Sequence, residues 1–251
     1  MKRIIPLIFV SILIAACSSD DDNTEKQANV YFNFNHHWDD ENFTIDDFGS
    51  THYTNEFGNT LTINKLRYLI SKIELTKESG EIILFENPYI FVDLEAASTS
   101  NLTGTIPQGD YKSISFVYGF NENMNTSGLY PELNSASWNW PEMLGGGYHY
   151  LQMEGFYQSA TTPQPYAYHM GTARESEGVF DNNHFTVTLN QNFTVNSDSV
   201  EIELKMNLAE WFKNPHTWNL EEYNIDLMMN YTAQKRMHDN GKSVFSLGNI
   251  Q

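Results

Sequence analysis

The feature that most constrains the fold is a two-residue alternation of apolar and polar side chains in short runs. Phe32, Phe34 and His36 in residues 30–36 would share one face of a strand, because successive side chains of a strand point to opposite sides. Similar runs, separated by Gly, Asn, Ser and Pro, occupy residues 61–75, 82–92, 111–118, 148–155, 185–189 and 200–206. Short strands with turn residues between them predict an all-β chain, folded as a single antiparallel β-sandwich of immunoglobulin-like or jelly-roll type. We expect the sandwich to cover roughly residues 28–206.

Short helices are expected near the C-terminus, packed against the sandwich. Asn207 can cap a first helix over residues 208–212, which Pro215 ends. A second stretch with helical spacing runs from about 220 to 239. Gly241 stands where a left-handed residue often ends a helix.

The N-terminus shows the succession of segments that is typical of a bacterial lipoprotein signal peptide. Two basic residues precede an apolar run at residues 4–14, which is too short to span a bilayer. Two alanines then stand directly before Cys17, the only cysteine of the chain. We therefore expect residues 1–16 to be a cleaved signal peptide and Cys17 to carry the lipid that holds the protein to a membrane.

An acidic, polar segment follows the cysteine. Residues 17–27 hold no apolar run and are expected to form a solvated tether, with one domain over residues 28–251. Acidic residues directly after a lipidated cysteine resemble the lipoprotein export signal of Bacteroidota. That resemblance implies an outer-membrane lipoprotein at the cell surface, and the alternative is a plain spacer on the periplasmic side.

Charge and composition exclude several classes of function. The formal net charge is −18, which makes nucleic acid an unsuitable partner. No nucleophile elbow, phosphate loop, dinucleotide fingerprint or zinc motif is present in the sequence. With its single cysteine acylated the chain can form no disulfide, so the core must hold by burial. We expect a binding protein and not an enzyme.

Histidines and tryptophans offer the candidate binding chemistry. Of the eight histidines, His36 extends an apolar strand face and His169 lies at an expected strand end, so both could enter one pocket. Trp138 and Trp140 are two residues apart, which on a strand puts both indoles on the same side. They would serve as core packing or as the wall of a site.

Several segments together resemble a known family. They are FNFNH at 32–36, LTINKLRYLISKI at 61–73, IFVD at 90–93, IPQGDY at 106–111, FVYG at 116–119, WNW at 138–140, GYHYLQMEG at 147–155, HMG at 169–171 and NGKSVF at 240–245. The WNW and GYHYLQMEG pair is the most specific of these. The chain is similar in these segments to the MbnP family of methanobactin-associated copper-binding proteins.

The resemblance implies a β-sandwich that binds one copper ion through histidines. In some relatives a tryptophan near the metal is oxidised to kynurenine by a dihaem peroxidase-like enzyme, which is therefore the implied partner. For this chain we expect His36 and His169 as a Cu(I) ligand pair. We expect Trp140 as the first choice, and Trp138 as the second, for the indole beside the metal. Glu154 is the acid expected to orient an imidazole.

The sequence also departs from the family pattern. Residues 141–146 are inserted between the WNW and GYHYLQMEG segments. Met124 and Asn125 stand where methanotroph-type relatives carry an Asn-His pair, so this chain lacks at that place one of the ligands of those relatives. The resulting expectation is an exported, lipid-anchored copper-binding protein that acts in copper acquisition or handling. The alternative is a surface lipoprotein that binds a glycan or another protein and holds no metal.

Overall fold

The computed structural model describes residues 25–96 and 100–251, and the side chains of residues 100–103 are not described. The expected signal peptide over residues 1–16, Cys17 and most of the acidic tether lie outside the described residues. Within the described part of the chain, no helix is long and apolar enough to cross a bilayer.

Strands dominate the described residues. They are β1 Gln27–Trp38, β2 Glu41–Phe43, β3 Tyr53–Thr54, β4 Thr60–Lys77, β5 Ile82–Leu84, β6 Tyr89–Asp93, β7 Ser100–Pro107, β8 Gly109–Tyr118, β9 Leu151–Gln158, β10 Pro163–Met170, β11 Ala173–Ser176, β12 Val179–Asp181, β13 Phe185–Val195, β14 Ser199–Asn207 and β15 Phe245–Ile250. The α-helices are α1 Pro131–Ser135 and α2 Tyr231–Gly241, and 3-10 helices cover Ile45–Asp47, Glu142–Leu144, Leu208–Phe212 and Leu227–Met229.

The strands form two main sheets and a small hairpin. The five-stranded sheet has the order β15-β14-β1-β2, with β7 also paired to β1. The eight-stranded sheet has the order β10-β9-β4-β8-β13, and β3, β5 and β6 pair with the long β4. β11 and β12 pair with each other. The expected all-β sandwich is confirmed, with one parallel pair, β1 with β14, in an otherwise antiparallel arrangement.

The core lies between the two sheets and is built largely from aromatic rings. Phe34 of β1 meets Tyr68 of β4 at 6.2 Å between ring centroids, and Phe32 meets Phe85 at 5.9 Å. All four side chains are buried. Because each buried aromatic ring removes a large apolar area from water, such a core can hold without a disulfide.

The C-terminal region differs in part from the expectation. Asn207 does cap the helix at Leu208–Phe212, since its side chain accepts a hydrogen bond from the Ala209 amide at 3.1 Å, but that helix is of the 3-10 type. The expectation of a long helix from about residue 220 is wrong for the first half of that stretch. Asp226 adopts a left-handed φ of 58°, and α2 begins only after Asn230, whose side chain accepts from the Ala233 amide at 3.0 Å.

Gly241 does not end α2 in a left-handed conformation. It is the last helical residue, and a β-carbon there would lie 2.5 Å from the Phe185 ring. The glycine is needed for close packing and not for its backbone freedom. The chain then returns to the sandwich as β15, so the sandwich extends well past residue 206.

Candidate metal centre

His169 lies on the outer face of the eight-stranded sheet. Gln152 of β9 is the cross-strand neighbour of both Arg67 on β4 and His169 on β10, and Arg67 Nη2 donates to Gln152 Oε1. The adjacent residues Tyr68 and Met170 are buried in the core. Since side chains alternate along a strand, His169 and Arg67 point away from the sandwich interior.

A hairpin folds back over this outer face. The His149 amide donates to the Trp138 carbonyl at 2.9 Å and the Trp140 amide to the Gly147 carbonyl at 2.9 Å. The turn runs through Gly145, Gly146 and Gly147, whose φ angles are 107°, 64° and 84°. Three successive left-handed positions suit glycine, and they turn the two tryptophans and the histidine back over the sheet.

The hairpin places His149 against His169. Their ring centroids are 5.3 Å apart, and the rings are nearly perpendicular at 82°. Trp140 and Trp138 lie 4.9 and 5.4 Å from the His149 ring. The two indoles are fully buried and His149 is 6 % exposed. Gly171 allows the Trp140 ring to approach the backbone closely, because a β-carbon at this position would lie 2.5 Å from that ring.

One nitrogen of each imidazole is held by a hydrogen bond. His149 Nδ1 lies 3.1 Å from the Trp138 carbonyl oxygen, and His169 Nε2 lies 2.8 Å from Glu154 Oε1, which also accepts from Lys65 Nζ at 3.2 Å. Among the described residues, none bonds to His149 Nε2 or His169 Nδ1. This is the usual preparation of a metal-binding histidine, in which one nitrogen fixes the ring and the other is free to coordinate.

Charges in the cluster favour coordination at neutral pH. Burial, and next the neighbouring His169, lowers the pKa of His149 to about 3. The hydrogen bond from His169 lowers the pKa of Glu154 to about 2, against the opposing effect of its partial burial. His149 is therefore a neutral imidazole whose Nδ1–H donates to the Trp138 carbonyl, which leaves the Nε2 lone pair for a ligand.

The donor set fits an ion of low coordination number. Within residues 25–96 and 100–251, no group of three or more His, Cys, Asp or Glu side chains could hold a metal ion. Zn²⁺ in structural sites takes four ligands, whereas Cu(I) is satisfied by two or three nitrogen or sulfur donors. Two adjacent imidazoles, one of them beside two buried indoles, suit Cu(I).

His36 is not part of this cluster, so the expected His36–His169 pair does not form. His36 lies on the core side of β1, 3 % exposed, with Nε2 at 3.0 Å from the Tyr68 hydroxyl. Tyr68 occupies the inner face of the same sheet whose outer face carries His169. His36 belongs to the other sheet and faces the inner side of this one, so the eight-stranded sheet separates it from His169 and the two side chains cannot share an ion.

His149 was not among the ligands expected from the sequence. The glycine triplet at 145–147 does indicate it, because it allows residues 138–140 to fold back on residues 147–149. Such a hairpin puts His149 beside both tryptophans. The structure also places the expected Trp138, Trp140 and Glu154 in the cluster around His149 and His169.

The fold and this cluster define a class: a two-sheet β-sandwich protein with a pair of histidines under two buried tryptophans. The family profile described as MbnP matches residues 27–230, and the chain belongs to the MbnP family. In structure it is similar to MbnP from Methylosinus trichosporium, at 14 % sequence identity and a TM-score of 0.54. That match covers 89 % of this chain and 99 % of the other and shows the shared fold. A search of curated proteins finds no match.

Proposed function

We propose that this protein is an exported, lipid-anchored copper-binding protein in which His149 and His169 hold one Cu(I). The observation that carries the proposal is the pair of adjacent imidazoles, with ring centroids 5.3 Å apart, each hydrogen-bonded through one nitrogen and without a hydrogen bond from the described residues at the other. Its role is copper acquisition or handling at the outer membrane, where the lipid on Cys17 anchors it. The ion is the cargo of the site, and no substrate is turned over.

Each neighbouring residue has a part in holding the ion. Glu154 orients the His169 ring and supplies a negative charge near the cation, while Lys65 holds the carboxylate in place. Trp138 and Trp140 exclude water from His149. Imidazole donors beside buried indoles favour a soft monovalent ion over strongly hydrated divalent ions.

His149 also accounts for a departure from the relatives. Their Asn-His pair falls at Met124 and Asn125 of this chain, so no imidazole is available there. Asn125 instead fastens the hairpin, with Oδ1 accepting from the Tyr148 amide at 2.9 Å and Nδ2 donating to Thr172 Oγ1 at 3.1 Å. In this proposal His149 supplies the second imidazole from the hairpin itself.

The family resemblance further suggests an oxidisable indole and an enzyme partner. Trp140 is our first candidate, because its ring meets His149 edge-on at 4.9 Å, and Trp138 is the second. The implied partner is a dihaem peroxidase-like enzyme. Mass spectrometry of Trp140→Phe and Trp138→Phe proteins from the native host would show which indole gains oxygen.

Competition titration with a chromophoric Cu(I) chelator tests the proposal. His149→Ala and His169→Ala should each weaken Cu(I) binding roughly 100-fold, or about 2.7 kcal/mol. His184→Ala and His238→Ala are matched controls, since neither ring touches the cluster, and should leave the affinity unchanged. The proposal fails if the wild-type protein binds no Cu(I), or if both cluster variants bind it normally.

The alternative is a surface module for glycans or proteins. Such a module needs exposed aromatic platforms, but Trp138 and Trp140 are 0 % and 1 % exposed. Trp138 and Trp140 therefore cannot stack on an external sugar. A wild-type protein that binds a glycan and binds no Cu(I) would support this alternative.

A further inference from the structure

A second group of aromatic side chains lies on the outer face of the eight-stranded sheet, on β6. Tyr89 and Phe91 are half-buried there and alternate with the buried Ile90 and Val92. Val92 is the cross-strand neighbour of Tyr68, which points into the core. Because side chains alternate along a strand, Tyr89 and Phe91 point away from the core. Their rings therefore lie on the side of the sheet that a ligand can reach from solvent.

The two rings border a cavity of about 360 Å³. Tyr130, directly before α1, and Glu132, in its first turn, close the cavity from the side of that helix. The exposed Asn87 and Pro88 form its rim. A cavity of this volume is at the small end of the range of ligand pockets, so it suits a small molecule.

The aromatic walls are fixed by their own contacts. The Tyr130 amide accepts its position from the Tyr148 hydroxyl, to which it donates at 2.8 Å, and the Tyr130 ring stacks on Phe120 at 4.9 Å and 26°. The Tyr89 ring meets Tyr130 at 4.9 Å and 67°, and meets Phe120 edge-on at 5.5 Å. Because these rings are held before a ligand arrives, binding loses little side-chain freedom.

The charge at the cavity is negative. Glu132 Oε2 accepts a hydrogen bond from the Tyr89 hydroxyl at 3.2 Å, and in the described part of the chain Glu132 forms no salt bridge. Burial, and next the charge of Glu132, raises the pKa of Tyr89, so the hydroxyl keeps its proton. Arg67 lies 5.9 Å from the Phe91 ring, but it does not line the cavity and its charge is paired with Asp93 at 3.9 Å. Aromatic faces are also negative, so rings and carboxylate together attract a cation.

A methylated ammonium group matches these walls. Its methyl groups donate no hydrogen bonds and are weakly hydrated, so aromatic faces can replace the water around it. We propose that the cavity binds the trimethylammonium group of a small solute, held against Tyr89, Phe91 and Tyr130 with its charge facing Glu132. An acidic group on the same solute opposes binding, because Glu132 and the net charge of −18 repel it. The cavity contains neither His149 nor His169, so the proposal is independent of the copper site.

Isothermal titration calorimetry of the purified protein with three probes tests the ligand class. Choline should bind, and its uncharged analogue, in which carbon replaces the nitrogen, should bind at least about tenfold more weakly, because it loses the cation–π and Coulomb attraction. Phosphocholine carries the same cation beside a phosphate and should also bind at least about tenfold more weakly than choline. No binding of choline, or an equal affinity for the uncharged analogue, would overturn the proposal. Phosphocholine binding tighter than choline would overturn the choice of a free cationic solute and indicate a lipid headgroup.

Two substitutions locate the binding. Glu132→Gln keeps an acceptor for the Tyr89 hydroxyl but removes the charge, and Phe91→Leu keeps apolar bulk but removes an aromatic face. Each should weaken choline binding about tenfold and leave the weak binding of the uncharged analogue unchanged. Glu86→Gln is the matched control, since Glu86 is exposed and does not line the cavity, and should bind choline normally. Phe91 also packs against Trp138 at 4.8 Å, whereas Glu132 is exposed, so Glu132→Gln tests the site even if Phe91→Leu fails to fold. Wild-type affinity for choline in Glu132→Gln would contradict the proposed site.

Discussion

The His36 side chain is buried beside an aromatic ring inside the sandwich. Its ring lies 5.6 Å from Tyr68, and the Tyr68 hydroxyl at 3.0 Å is a polar partner of its Nε2. Burial, and next the charge of His37, lowers the pKa of His36 to about 3. Because the unfolded chain takes up this proton near pH 6.5, the folded state binds fewer protons between about pH 3 and 6.5.

Stability should therefore rise with pH through that window and be lost as the pH falls. Replacing His36 by Gln removes the titrating group and leaves a hydrogen-bonding side chain beside Tyr68. Between pH 7 and pH 5, wild type should lose about 2 kcal/mol more free energy of unfolding than His36→Gln, measured in urea. Equal losses in both proteins would mean that His36 is not buried as a neutral ring.

At the scale of residues, the sequence predicted part of the candidate site. The Trp-x-Trp and His-x-Gly motifs drew attention to Trp138, Trp140 and His169, which the structure brings into one cluster with His149. His149 was not expected beside His169. Alternation shows that His36 and His169 each lie on a strand face, but it does not show that His36 points into the core while His169 points away from it. The packing of the two sheets against each other decides which face of each sheet is buried.

At the level of secondary-structure elements, the position of the hairpin over residues 138–149 depends on the contact between Trp140 and Gly171. Gly171, just after β10, is not at a left-handed φ, so its importance is steric. In Gly171→Ala the new methyl group would push Trp140 away from His149. Overpacking of this kind typically costs about 1–3 kcal/mol.

We expect Gly171→Ala to lower the unfolding free energy by that amount, to shift tryptophan emission to longer wavelength and to weaken Cu(I) binding. Gly178→Ala is the control, since it lies in an open turn at a φ of 72°. It should cost about 1 kcal/mol of backbone strain and leave the emission and the metal affinity unchanged. Unaltered emission in Gly171→Ala would show that Trp140 does not rest on this glycine.

Elements with strong two-residue alternation were predicted well, and the C-terminal helices less well. β1, β4, β8 and β14 lie where the pattern placed them. Burial alternates along β1 and β14, whereas the central residues of β4 and β8 are buried on both faces. The helix expected from about residue 220 begins eleven residues later, because residues 220–225 form turns and bends, Asp226 has a left-handed φ of 58° and Asn230 supplies the cap. The spacing of apolar residues does not reveal where such turns replace helix.

On the scale of the whole molecule, distant parts of the chain close the sandwich. β1 pairs in parallel with β14, from Asn29 opposite Ser199 to His37 opposite Asn207. The sequence indicated two layers of strands but not this pairing, because nothing local specifies which strands meet across more than a hundred residues. The final strand β15 then covers the outer edge of β14.

The anchoring of the whole molecule is tested at Cys17. Cys17→Ala should leave an unlipidated precursor that no longer partitions into detergent with the membrane fraction, because the apolar run at residues 4–14 is too short to span a bilayer. Ser18→Ala is the neighbouring control and should partition normally. Membrane partitioning of Cys17→Ala equal to that of wild type would contradict the lipid anchor.

X-ray absorption spectroscopy of the Cu(I)-loaded protein counts the donor atoms around the ion. We expect two nitrogen donors from imidazole and no sulfur, with one of the two nitrogens lost in either His149→Ala or His169→Ala. A spectrum dominated by sulfur, or one that is unchanged in both variants, would contradict the two-histidine site.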